Sequence, residues 1–441
     1  MKRRSATLLS LFAVVLLGLT PVQAYAGERL IVRTSSLLDG LTVVRSACRI
    51  LGCQVLYGLD GTLGKLFLVE LPPLLDADLA VSLIDALPGI AGAEIDLKGS
   101  TLAAVGTTVP AALYDDEPVH YYGATVRGGY ARQPAAEIVG IAETQSQYRL
   151  SGQGVTVAII DTGVDPSHPA LQAVLLPGYD FTRNRSGGSE RSDVNQSTVA
   201  VLDGAQPGFV NQSTVAVLDQ STVAVLDGPD YAAFGHGTMV AGIVHLVAPQ
   251  ARILPLKAFG ADGSGYTSDV LRAIYVAVHD GAKVINMSFS FSTQSRELER
   301  AVDYATDRGI VAVASTGNDG RRVDVYPASL STVIGVASST DWDTLSDFSN
   351  YGPSVAWIAA PGEAVVSTYP FGTYAAAWGT SFSTPFAAGT AALLAEVSRH
   401  INESLAAEAE GQGVWISNEV RKGRLHAPTA VRAWRTRLGL P

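Results

Sequence analysis

Five short apolar runs, at residues 155–160, 252–255, 284–287, 311–314 and 333–337, lack the polar alternation of a strand with one wet face. A strand written this way must be covered on both faces. Stretches with helical spacing, at 269–280 and 297–308, lie between them. Strands alternating with helices form a parallel sheet covered by helices on both faces. The predicted fold class is therefore α/β, and ligands are expected at the carboxyl ends of the strands. The chain is 47% hydrophobic and 16% charged, which supports a large core and excludes global disorder. A formal net charge of −10 argues against a nucleic-acid partner. The local basic group Arg421, Lys422, Arg424, Arg432, Arg435 and Arg437 reads as a solvated surface helix.

The amino-terminal third reads differently. Lys2, Arg3 and Arg4 precede an apolar stretch at 8–19, with small residues at the following cleavage positions. Residues 1–26 are therefore expected to be a signal peptide, too short to span a bilayer. Export would permit a disulfide between Cys48 and Cys53, and two small buried residues is the alternative. Residues 27–96 carry the order β-α-β-β-α-β, which suggests a small ferredoxin-like α+β unit. Residues 97–132 are irregular and read as a linker with a processing region. A final domain then runs over 133–441, with an insertion at 184–230. In that insertion QSTVAVLD occurs three times, at 196–203, 212–219 and 220–227. Each copy favours a strand, and the repeats are expected to be a passive expansion near the rim of the site.

Four motifs carry chemistry. Val157-Ala158-Ile159-Ile160-Asp161-Thr162-Gly163 puts a carboxylate at a strand's carboxyl end. Gly235-His236-Gly237-Thr238 opens an apolar helical run, and Gly379-Thr380-Ser381 opens another. A serine hydroxyl needs a base within hydrogen-bond reach, and imidazole has the right basicity. A buried carboxylate then fixes the imidazole tautomer. Fourth, Ser315-Thr316-Gly317-Asn318-Asp319 places an amide just after a buried strand, so Asn318 and the Ser381 N–H could stabilise an oxyanion.

The chain order Asp161, His236, Ser381 with these motifs resembles the subtilisin-like serine peptidases, over about residue 133 to the end. The resemblance implies a subtilisin-like sheet and a secreted, extracellular or periplasmic, monomeric endopeptidase acting on proteins or peptides through an acyl-enzyme. It implies a cleft in which an extended peptide pairs with Gly263 and Gly265 on one side and with Ser288, Phe289 and Ser290 on the other. The side chain of Ser290 stands where glycine is common and is expected to narrow the pocket. The early unit then resembles a propeptide, an inhibitor and folding template removed by self-processing between about residues 96 and 130. No metal ligand and no required cofactor are expected. Ala170 stands where many relatives have an acidic calcium ligand, so the common strong calcium site is expected to be absent and only a weaker one is left open. An inert subtilisin-like binding protein is the competing reading, set aside because all four motifs are intact. A sedolisin-like acid peptidase would need a glutamate as base in place of His236.

Overall fold

The computed structural model describes residues 27–35, 40–101, 109–194, 208–209, 215–217 and 229–441. The signal-peptide stretch and most of the repeats lie outside these. The amino-terminal unit contains strands β1 (Arg29–Thr34), β2 (Gln54–Gly58), β3 (Leu66–Glu70) and β4 (Ile90–Ile95), with helices Gly40–Leu51 and Ala77–Asp85. The sheet order is β2-β3-β1-β4, with antiparallel pairs throughout, as the predicted β-α-β-β-α-β order requires. Its two faces follow from the period of two. Leu30, Val32, Phe67 and Val69 pack under the unit's own helices, while Ile31, Leu66 and Leu68 join the core of the larger domain. Cys48 and Cys53 are disulfide-bonded.

The larger sheet is eight-stranded. Its strands are β8 (Thr156–Asp161), β9 (Tyr179–Asp180), β10 (Arg185–Ser186), β13 (Arg252–Lys257), β15 (Val284–Met287), β16 (Val311–Ser315), β17 (Ile334–Ser339) and β18 (Ile358–Pro361), in the order β10-β9-β13-β8-β15-β16-β17-β18. All neighbours but β9 and β10 are parallel. Helices His236–Val247 and Thr380–Val397 bury their apolar residues on one face. Helices Thr267–His279 and Arg296–Thr306 cover the other. Strand β8 is followed in the chain by β13 on one side and later by β15 on the other. The direction of winding reverses at β8, and such a reversal opens a crevice at the strand's carboxyl end.

The docking of the early unit uses helix ends. Asp96 accepts from the backbone N–H (2.8 Å) and hydroxyl (2.9 Å) of Ser268, in the first turn of Thr267–His279. Glu94 accepts from the N–H of Arg296 (3.0 Å) and from the Ser295 hydroxyl at the start of Arg296–Thr306. Carboxylates at helix amino termini meet unpaired N–H groups and the positive end of the helix dipole. Arg33 donates to Glu297 from the same sheet face (2.8 and 2.9 Å to the two oxygens).

Two expectations are corrected. Residues 97–132 are not simply an irregular linker. They contain β5 (Lys98–Ser100), a hairpin of β6 (Pro118–Tyr121) and β7 (Ala124–Arg127), and the short helix Gly128–Ala131. The hairpin turns on Tyr122 and Gly123 with φ of 47° and 92°, both left-handed. Asn-Gly would have signalled this turn, and Tyr-Gly does not. Tyr130 is fully buried and donates to the Gly242 carbonyl at 2.8 Å. Arg424 is not solvated either. It is 6% exposed, and its guanidinium bonds to Asp343 and to the Ile138 carbonyl, each at 2.6 Å.

Within the repeats, β12 (Val215–Val217) pairs antiparallel with β20 (Thr373–Ala377), which pairs in turn with β19 (Val365–Tyr369); β11 (Gly208–Phe209) lies outside β12. The middle copy thus supplies a strand to the ribbon that leads into Ser381, while the other two lie outside the described residues. Deleting residues 212–227 leaves one copy with the same residues for that edge. Cleavage of a short peptide and of a folded protein is therefore expected to survive within about twofold, as for most surface changes. A selective loss on the protein substrate, measured beside the peptide, would contradict a passive insertion.

Candidate active site

Asp161 and His236 meet although they are far apart in sequence, and the ring of Phe382, next to Ser381, packs against the His236 imidazole. Asp161 is the last residue of β8, where β13 and β15 flank it. His236 is the first residue of its helix and Ser381 the second of its own. The turn after Asp161 and the His236 helix approach so closely that a Cβ at Gly237 would lie 2.0 Å from the Gly163 carbonyl oxygen. Only glycine allows that contact.

The three residues are 0%, 4% and 3% exposed, in chain order. His236 Nδ1 lies 2.7 Å from Asp161 Oδ1, and an ionised carboxylate can only accept, so Nδ1 carries the proton and Nε2 is the basic atom. Asp161 Oδ1 also accepts from the Thr162 N–H at 2.7 Å, which fixes the carboxylate plane. The Ser381 hydroxyl donates to the Ser288 carbonyl at 3.3 Å, and His236 Nε2 has no hydrogen-bond partner among the described residues. The sequence predicted a serine in reach of its base. In the structure the hydroxyl is turned toward the cleft strand instead, and the contact between the two elements is made by the neighbouring Phe382, whose ring lies 5.2 Å from the His236 imidazole, centroid to centroid. Catalytic hydrogen bonds commonly tighten only with substrate present.

Asn318 follows β16, and its Oδ1 accepts from the Thr380 N–H (2.9 Å) and hydroxyl (3.0 Å). Those two contacts fix the amide by its oxygen. The cavity, about 300 Å³, is lined by Phe289, Ser290, Asn318, Thr380 and Ser381 among others. Ser288 lies beneath Ser381 and donates from its hydroxyl to the Ser381 carbonyl at 2.8 Å. Phe289 is 1% exposed, with its ring packed on Phe259. Gly263 and Gly265 form the opposite wall in and beside β14 (Ser264–Tyr266).

The cleft already holds a strand. Residues Lys98–Ser100 pair antiparallel with β14, Gly99 against Gly265. Ser100 exchanges two backbone hydrogen bonds with Ser290, at 3.1 and 3.0 Å, and the Thr101 N–H donates to the Gly263 carbonyl at 3.0 Å. An extended segment of this chain thus lies between Gly263 and Gly265 on one side and Ser290 on the other.

Residues that the sequence did not single out support the site. Glu190 is fully buried and accepts from Thr162 Oγ1 (3.1 Å), from the Gly235 N–H (2.9 Å) and from the Thr238 hydroxyl. It ties the turn after Asp161 to the start of the His236 helix. Burial pushes its carboxyl well above the usual range, against the opposing effects of the Thr238 bond and the Lys257 charge. Lys257, also fully buried, donates to the carbonyls of Thr162 (2.7 Å) and Phe259 (2.6 Å) and to Asp193 (2.8 Å). A lysine closing the apolar strand RILPLK was a signal for such a clamp. Nothing in the polar stretch around Glu190 was. Among the described residues no group of three or more His, Cys, Asp or Glu is placed to hold a metal ion.

The subtilase family model matches residues 152–419. Thermitase of Thermoactinomyces vulgaris is 34% identical over 297 residues, which cover 64% of this chain and 90% of thermitase. The thermophilic serine proteinase of Bacillus sp. (strain AK1) is 35% identical over 284 residues, and the match spans 62% of its length. The solved structure of fervidolysin from Fervidobacterium pennivorans, described as a keratinolytic enzyme related to subtilisin, superposes with a TM-score of 0.69 at 21% identity. That match covers 92% of this chain and 61% of fervidolysin, and it establishes likeness of fold.

Proposed function

This chain belongs to the subtilase family and is a serine endopeptidase, and on that premise we propose that it works through Asp161, His236 and Ser381 and is exported as a precursor that cuts itself. The observation carrying this reading is the 2.7 Å contact of His236 with buried Asp161, beside a serine at a helix start that faces a peptide-lined cleft.

Ser381 Oγ attacks the scissile carbonyl carbon while His236 Nε2 takes the hydroxyl proton. Asp161 holds the imidazolium by Nδ1–H. The oxyanion accepts from Asn318 Nδ2–H and the Ser381 N–H. Collapse breaks the C–N bond, and the leaving amine takes the proton from His236. Water then attacks the acyl ester, giving its proton to Nε2, and the acid leaves as Ser381 regains its hydrogen. None of these steps requires a metal. Casein hydrolysis by the secreted protein, lost in an Ser381→Ala control, tests the activity and the export together. Among the described residues no helix is long and apolar enough to cross a membrane.

Residues 27–101 serve in this reading as a propeptide whose end occupies the cleft like substrate. The register supports a cleavage position. Ser100 is opposite Ser290, two residues along its strand from Ser288, whose carbonyl is the partner of Ser381 Oγ, and antiparallel pairing counts two residues on one strand against two on the other, so the cut is assigned two residues after Ser100. Leu102 itself lies outside the described residues. Self-processing is expected after Leu102, giving mature protein that begins at Ala103, and N-terminal sequencing measures this directly. The Ser381→Ala precursor made without other proteases should stay intact. Its appearance in processed form would assign the cut to a different enzyme.

A further inference from the structure

We propose that Phe291 makes this enzyme selective for glycine at the fourth residue before the bond it cuts. The inference rests on the reading above, in which Lys98–Ser100 lies in the cleft as a substrate strand and Leu102 is the residue before the scissile bond. Gly99 is then the fourth residue. In the pleat Lys98 is exposed and Gly99 is buried, so position 99 faces the protein. A Cβ built on Gly99 would lie 2.6, 2.8 and 2.9 Å from ring carbons of Phe291, closer than the 3.0 Å below which something must shift.

The ring has little freedom to withdraw. Phe291 is 2% exposed and meets the Phe289 ring edge to face at 5.9 Å, and Phe289 lies on Phe259 at 4.8 Å. The backbone of Phe291 is pinned as well. Its N–H donates to the Tyr326 carbonyl at 2.8 Å, and its carbonyl accepts from the Tyr326 N–H at 2.9 Å. A closely packed aromatic row held by its own backbone transmits a misfit instead of absorbing it. A peptide with a side chain at this position must lift away from the cleft wall, and it loses ladder bonds to β14 or to Ser290. Lys98 and Ser100 flank the position without this constraint, so the restriction falls on one residue of the substrate.

The test uses enzyme matured from the full-length chain and the p-nitroanilides acetyl-Lys-Xaa-Ser-Thr-Leu, with Xaa as Gly, Ala or Leu, beside the truncated acetyl-Ser-Thr-Leu. The glycine peptide is expected to exceed the alanine peptide in kcat/KM by about tenfold and the leucine peptide by about 100-fold, within the range that ill-fitting methylenes produce. In Phe291→Ala the ratio of leucine to glycine peptide should rise at least about tenfold, as the space opened by the ring is returned to the substrate. Phe291→Leu, closer in volume, should shift the ratio in the same direction if the alanine variant does not fold, and the wild-type series stands without either. Equal turnover of the three long peptides, or a preference for leucine, overturns the role of Phe291 while turnover of the truncated peptide leaves the endopeptidase reading standing. No turnover of the truncated peptide overturns both.

Discussion

Ser381→Ala is expected to lower kcat for peptide hydrolysis about 10⁶-fold, the size of the loss when a related enzyme's nucleophile is removed. The expectation follows from position. Ser381 sits at the start of the Thr380–Val397 helix, lining the cavity, with its hydroxyl already against the cleft strand. The fold should survive, because the Ser288 hydroxyl is held to the Ser381 backbone carbonyl, which alanine retains. Residual turnover should exceed the uncatalysed rate, since the oxyanion donors and the binding cleft remain. Steady-state kinetics beside a circular dichroism spectrum separates loss of chemistry from loss of structure. Activity within tenfold of wild type would remove Ser381 from the mechanism.

Asn318→Ala is the second large effect, with kcat expected to fall about 10²–10³-fold, a figure that comes from a subtilisin that lost its side-chain oxyanion donor. KM should change far less, because the donor is worth most when negative charge develops on the substrate oxygen. Thr380 anchors Asn318 Oδ1 through two donors, so the amide is oriented before substrate arrives and little reorganisation accompanies the reaction. A change in KM with kcat intact would instead make Asn318 a residue that positions the ground state.

Asp161, His236 and Ser381 were legible as candidates because the local chemistry such residues need is written around them. Asp161 closes an apolar run that can only be a doubly buried strand, and glycines beside His236 and Ser381 mark close approaches at helix starts. The five apolar runs are all strands of the large sheet. Strands β18 and β20, read as IAAP and TYAAA, were not picked out, since alanine carries little strand signal and their burial comes from neighbours far along the chain. The β6–β7 hairpin was missed because two left-handed residues came as Tyr-Gly. Glu190 was out of reach for another reason. It lies among serines, glycines and arginines that read as a surface loop, and its burial arises only when that segment folds between the Asp161 turn and the His236 helix. Chemistry that depends on contacts across the chain leaves no local pattern to read.

In the proposed mechanism Ser381 is a nucleophile activated by His236. Phenylmethylsulfonyl fluoride reacts with a serine only when a neighbouring base removes its proton. Incubation of the mature enzyme, followed by intact-mass and peptide mass spectrometry, tests the claim most directly. One sulfonyl group per molecule is predicted, on Ser381, with activity lost in proportion to labelling and no adduct in His236→Ala. Full activity in fully exposed enzyme, or a stoichiometric adduct on another residue that tracks inactivation, would contradict it.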